Sequence, residues 1–244
     1  SASLDPIRNA GGLVAINQDR STAAVVNAIG DIEIWDLNAS QRKASWSGHA
    51  DTITGVAWLG DTDRLVSADA TGRICIWNAT DGHQISETET DAIVRSIAVS
   101  PNGSYIASLD HEGKLALHEF DRASSELHPQ DKLPKELTKV NDAVLVSQPS
   151  ATLVIADDTK GIVIWSIADN KIVRQLDHGA KVNALAVNAD QSLVFSGAAD
   201  ASTKVWNLAS GELVRQIGGS LTGGLRLAYA QRSAQRQSGA VERL

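Results

Sequence analysis

Five short apolar segments of this chain end alike. Trp35 closes GDIEIWDL, Trp77 closes GRICIWNA, and His118 takes the same place in GKLALHEF. Trp165 closes GIVIWSI and Trp206 closes STKVWNL, so the steps are 42, 41, 47 and 41 residues. A second marker keeps the same time: His49, preceded by Gly48, lies 28 residues before Trp77, and His178 lies 28 before Trp206. Ser67, Ser108 and Ser196 each sit ten residues before their Trp or its equivalent. A fixed period of this length constrains the fold more than any composition. Each repeat must be one supersecondary unit that buries its faces against its neighbours.

The most regular unit contains Leu193 to Leu208, LVFSGAADASTKVWNL. Leu193, Val194 and Phe195 are apolar and strand-forming, Gly197 to Ala201 are small turn residues around Asp200, and Thr203, Val205 and Trp206 resume a strand. This is hairpin chemistry. Similar strands are expected throughout: Leu13 to Ile16, Ala23 to Val26, Ile32 to Leu37 and Lys43 to Ser47 in the first repeat, with Pro101-Asn102-Gly103 as a turn between strands of the third. The fourth step is about six residues over the period. Its excess falls in DRASSELHPQDKLPKEL, residues 121–137, which reads as a charged surface loop with Pro129 and Pro134.

Two markers at fixed spacing, a Gly-His and a Trp-Asp at residues 35–36, resemble the WD40 repeat over roughly residues 12–218. The resemblance implies an all-β fold, a WD40-like β-propeller of four-stranded antiparallel blades. About five blades are visible, so the ring is either complete with five or incomplete. Domain boundaries follow: a linker or edge strand over 1–11, blades over 12–219, and an irregular basic tail or the start of a truncated sixth blade over 220–244.

In WD40 proteins a His, an Asp, a Ser or Thr and the Trp form a buried relay that pins each blade. By resemblance His178, Ser196, Asp200 and Trp206 fill those roles in the fifth repeat, and His49, Ser67 and Trp77 in the second. Thr71 occupies the usual Asp place of the second repeat, which makes that relay incomplete or rerouted. The residue eight before each Trp-equivalent is Asn27, Asp69, Asp110, Asp157 or Ala198. Asn and Asp there are expected to cap the turn between second and third strands, because such side chains bond their own turn backbone. The alternative is an acidic ring facing a basic partner or a metal.

Composition narrows function. A net charge of −7 excludes a sequence-independent phosphate binder, so no nucleic-acid partner is expected. No apolar run is long enough to span a membrane, so no membrane partner is expected either. The single cysteine, Cys75, rules out an internal disulfide and cannot build a zinc site; compartment stays open with a lean to the cytoplasm. The chain has no methionine and reads as a processed or excised piece. His178, Ser196 and Asp200 have the composition of a hydrolytic triad, but the second repeat carries His49, Ser67 and Asp69 as a copy, and no G-x-S-x-G elbow occurs. No cofactor, metal or catalytic residue is expected.

The reading is therefore a non-catalytic scaffold binding a protein or peptide partner, with self-association if the ring is open. The alternative is the propeller portion of a longer protein whose enzymatic, redox or signalling activity lies elsewhere. By resemblance the partner face carries the fourth-to-first and second-to-third strand loops. It would include Asp51, Thr52, Thr54, Arg95, Asp110, His111, Lys181 and Asn183.

Overall fold

Alternating apolar residues with a turn every six or seven positions give strands throughout. The computed structural model describes residues 10–131, 133–147 and 150–218. Most of the segment read as linker, and the tail over 220–244, lie outside the described residues. Two compact units divide the chain, Ser1–Leu133 and Pro134–Leu244. Among the described residues the fold is all-β: five four-stranded antiparallel sheets, each a meander of four consecutive strands, which is the blade of a β-propeller.

The first unit holds three of these sheets. Sheet one is β1 (Ala10–Ile16), β2 (Thr22–Asn27), β3 (Asp31–Asp36) and β4 (Gln41–Ser47). Sheet two is β5 (Ile53–Trp58), β6 (Arg64–Asp69), β7 (Arg73–Asn78) and β8 (Gln84–Glu89). Sheet three is β9 (Val94–Val99), β10 (Tyr105–Asp110), β11 (Leu115–Asp121) and β12 (Glu126–Gln130). The second unit holds two. Sheet four is β13 (Val140–Val146), β14 (Thr152–Asp157), β15 (Gly161–Ser166) and β16 (Lys171–Leu176). Sheet five is β17 (Val182–Val187), β18 (Leu193–Ala198), β19 (Thr203–Asn207) and β20 (Leu213–Ile217).

Strand β7 shows why the sheets stack. A strand alternates its side chains between faces. Cys75 and Trp77 join Ala24, Val26, Ile32 and Ile34 of sheet one. Ile74 and Ile76 turn the other way and join Val94, Ile106 and Phe120 of sheet three. Both isoleucines are fully buried, each worth about 1.5–3 kcal/mol. The same logic joins Val154, Ala156, Ile162 and Ile164 of sheet four to Leu185, Val194 and Trp206 of sheet five.

One expectation is corrected. Residues 121–137 are not simply a loop, because β12 pairs with β11 from Leu117↔Gln130 to Asp121↔Glu126 and completes sheet three. Pro129 is tolerated because β12 is an outermost strand with one unpaired edge, where a missing N–H costs no ladder bond.

Candidate functional site

The alternation of each sheet brings one polar cluster into the apolar stack. In sheet two, Trp77 donates its indole N–H to Ser67 Oγ at 2.7 Å. His49 Nε2 lies 2.6 Å from the same Oγ, and His49 Nδ1 lies 2.7 Å from Asp69 Oδ2. Gly48 precedes the histidine because a Cβ there would stand 2.6 Å from the Trp77 ring. The protons can be assigned. Burial alone would raise the Asp69 carboxyl, but hydrogen bonds from Thr71, His49 and the Thr71 and Arg73 amides outweigh it and hold it below the usual carboxylate value. Burial likewise pushes His49 below its usual value, against the pull of Asp69. A neutral His49 beside an ionised Asp69 keeps its proton on Nδ1 and donates it to Asp69. Nε2 then accepts from the Ser67 hydroxyl, which itself accepts from Trp77. The donor chain runs Trp77, Ser67, His49 in one direction and ends on a charge.

Sheet five makes a related cluster with different wiring. Trp206 donates to Ser196 Oγ at 2.8 Å, and His178 Nδ1 lies 2.7 Å from that oxygen. His178 Nε2 meets Ser202 Oγ at 2.9 Å, and Ser202 in turn donates to Asp200 Oδ1 at 2.7 Å. Asp200 thus reaches His178 only through Ser202, a residue that the sequence analysis passes over. Burial, aided by the charge of Lys204, pushes His178 below its usual value. Ser196 is fully buried and its oxygen already serves Trp206 and His178. In sheet two the acid of the relay is Asp69, from the end of β6, and not Thr71. The signal was present in the run of Asn and Asp eight residues before four of the five Trp-equivalents.

Those residues also build the turns between second and third strands. Asn27 Oδ1 accepts from the amides of Ile29 and Asp31. Asp69 Oδ1 accepts from Thr71 and Arg73, and Asp110 Oδ1 from Glu112 and Lys114. Asp157 Oδ1 accepts from Thr159 and Lys160. A glycine in left-handed conformation ends the turn in four sheets, for example Gly72 at φ 96°, where a Cβ would also stand 2.6 Å from the Thr90 carbonyl oxygen. In sheet five Ala201 occupies that conformation at φ 62°.

The other sheets lack the relay. Trp35 donates instead to Glu33 at 2.9 Å. His118 is buried with neither ring nitrogen hydrogen-bonded, and the Trp165 indole N–H is likewise unpaired. Burial pushes His118 below its usual value, so it packs as a neutral ring. Cys75 is buried and its thiol is pushed up to about 12, chiefly by burial. Among the described residues no group of three His, Cys, Asp or Glu could hold a metal ion.

Within each sheet the β2–β3 type of turn and the connection to the next sheet lie at the same strand end. Asp51, Thr52, Arg95 and His111 are exposed there in the first unit, and Lys181 and Asn183 in the second. Two expected rim residues are occupied otherwise. Asp110 is buried, 7% exposed, and caps its turn; Thr54 is half-buried and donates to the Ala68 carbonyl at 3.3 Å. Lys181 pairs with Asp158 at 2.9 Å, and Asp158 also accepts from Asn141. Two apolar residues share this strand end in the first unit and escaped the sequence reading: Ile29, 82% exposed in the β2–β3 turn, and Ile93, 48% exposed just before β9.

The WD40 family model (WD domain, G-beta repeat) matches residues 40–78, 80–117 and 170–207. The chain thus carries WD40 repeats at these segments, and its fold is that of a WD40 β-propeller. Among solved structures it resembles the β-propeller domain of Cps50 (Swd1) from Myceliophteria thermophila, with a TM-score of 0.69 and 16% identity over 85% of this chain and 72% of that one. Among curated relatives it is 26% identical to human Striatin-4, covering 70% of this chain and 23% of that protein. It is 26% identical to WD repeat-containing protein 55 of Arabidopsis thaliana, covering 79% and 54%. The guanine nucleotide-binding protein subunit beta of rice is 23% identical over 66% of this chain and 45% of its own length. The chain thus spans from about a quarter to about half the length of these relatives.

Proposed function

We propose that this chain is a non-catalytic protein-interaction module. Its partner face is the strand end that carries the β2–β3 type of turn and the connections between sheets. One observation carries the reading. Ile29 and Ile93 stand exposed on that end of their sheets, among the exposed polar residues Asp51, Thr52 and His111. An apolar side chain held out to solvent by a hydrogen-bonded turn supplies the anchor that a protein interface needs, and polar neighbours supply its rim. The turns that hold it are fixed by buried or half-buried Asn and Asp side chains. The relays of His49, Ser67, Asp69 and Trp77, and of His178, Ser196, Ser202, Asp200 and Trp206, pin sheets and do no chemistry. The WD40 repeats support the same conclusion, since propellers present loops from a packed frame of sheets.

The test compares Ile29→Asp combined with Ile93→Asp against the unaltered chain. The partner retained by the unaltered chain should be lost by at least about tenfold in affinity, with thermal stability unchanged. Equal retention by both proteins would contradict the assignment. A second reading is that the chain is the propeller portion of a longer protein whose activity lies outside these residues; the matches to only 23% of Striatin-4 and 54% of the Arabidopsis relative support it.

A further inference from the structure

His118 fills the Trp place of sheet three, and the exchange changes what the packing of sheets two and three tolerates. Residues directly opposite one another share a face. The rows of sheet two that face sheet three are Ala57–Val66–Ile76–Ser86, Gly55–Ala68–Ile74–Thr88 and Arg64–Asn78. The facing rows of sheet three are Val99–Ile106–His118–Pro129 and Ile97–Ser108–Ala116, with Phe120 and Leu127 beside them. One buried cluster joins the two faces, through Val66, Ala68, Ile74 and Ile76 on one side and Ile106 and Phe120 on the other. The approach is close, since a Cβ on Gly55 would stand 2.8 Å from Ile97 Cγ1. Inside this apolar layer His118 is 4% exposed and neither ring nitrogen is hydrogen-bonded.

The charged groups around His118 supply no counter-charge. Arg64 is the ionisable side chain in the facing rows of sheet two, and its guanidinium stands 5.3 Å from the centre of the Phe120 ring. It brings a like charge to this side of β11. On sheet three Asp110 shares the parity of Ser108, but it lies at the strand end and its Oδ1 accepts from the Glu112 and Lys114 amides. Tyr105, Glu119, Asp121, Glu126 and His128 take the opposite parity. Arg95, Glu112 and Lys114 are exposed at the end of the sheet. Burial alone pushes His118 below its usual value.

The other two buried histidines are placed differently. A protonated His49 keeps the Asp69 carboxylate at 2.7 Å. A protonated His178 meets the hydroxyls of Ser196 and Ser202, whose oxygens can accept from it. A protonated His118 would hold a charge and two N–H donors in a layer with no acceptor for either.

We infer that the packing of sheets two and three is an acid-sensitive joint, which opens locally when His118 takes up a proton while sheets one and two stay packed. The closed joint refuses a proton that an exposed histidine binds at about pH 6.5. Opening is therefore indifferent to pH above that value and is favoured progressively below it, by up to about thirtyfold at pH 5. What the open joint presents is apolar: Ile74 and Ile76 on one side, Ile106 and Phe120 on the other.

The experiment uses the full chain and the variants His118→Leu and His118→Gln, neither of which titrates at this position. Deuterium uptake at pH 7.5 and 5, each normalised to the unfolded chain at the same pH, is read over 105–110 and 115–121 of sheet three and over 22–27 and 31–36 of sheet one. At pH 5 the unaltered chain should lose about tenfold more protection over the sheet-three segments than over those of sheet one. In His118→Leu that excess should vanish. Should His118→Leu fail to fold, His118→Gln decides by the same comparison. Equal loss over both sheets in the unaltered chain would overturn the assignment, and so would an excess loss over sheet three that persists in the variants.

Discussion

Ser67 and Asp200 show how differently two members of one motif contribute. Ser67 is fully buried and serves both Trp77 and His49. Replacing it with alanine strands an indole N–H and an imidazole nitrogen, so Ser67→Ala should cost about 2–4 kcal/mol in urea unfolding. Asp200 is exposed and touches the relay only through Ser202, so Asp200→Ala should cost about 1 kcal/mol or less. Similar losses for both would contradict the wiring. The histidines set the acid limit. His49, His118 and His178 are all held below their ordinary value, first by burial. The unfolded chain therefore takes up protons that the folded chain refuses once pH falls below about 6.5. Their stabilisation is complete above that pH and is lost as pH falls towards the lowered folded values. Denaturation at pH 7.5 and 5 should show the loss, and His118→Leu should reduce it. Asp69 and Asp157, held below 3.8, contribute a separate loss only in stronger acid. The sequence exposed His49, Ser67, Trp77, His178, Ser196 and Trp206 as residues at fixed spacings. Spacing is silent on which acid a side chain reaches across a turn, so Asp69 stood out in the sequence as a turn cap but gained its bond to His49 only with the structure, and Ser202 entered only there.

At the scale of the element, the turn after each second strand is the recurring device. A capping Asn or Asp and a left-handed glycine make it in sheets one to four, whereas sheet five has Ala198 and Ala201 in their places. A non-glycine residue in that conformation is disfavoured by about 1–2 kcal/mol. Ala201→Gly should therefore raise stability by about 0.5–1 kcal/mol, read from the denaturation midpoint, because relief of strain exceeds the added chain entropy. No gain would mean that the local backbone carries no strain. Most strands were legible in the sequence, since β-branched and apolar alternation between Gly and Asn/Asp turns is a local signal. Strand β12 was not. Its composition, Glu-Leu-His-Pro-Gln, is that of a loop, and it becomes a strand only because β11 offers an unpaired edge. The exposed Ile29 and Ile93 were hidden for a related reason. An isoleucine beside a turn reads as core until the registers show that it faces solvent.

At the scale of the whole molecule, apolar stacking and buried relays hold the sheets, and the proposed partner meets their loops. Lysines report on the two strand ends. Lys114, Lys139, Lys160 and Lys181 lie at the end with the β2–β3 type of turn and the inter-sheet connections, and all four are exposed. Lys43 and Lys171 are exposed near the opposite end of their sheets, beside the turns between third and fourth strands. Amine cross-linking of a captured complex, read by mass spectrometry, therefore locates the partner directly. Partner cross-links should concentrate on Lys114 in the first unit and on Lys139, Lys160 and Lys181 in the second. Cross-links concentrated on Lys43 and Lys171 would place the partner at the other end and contradict the proposed face.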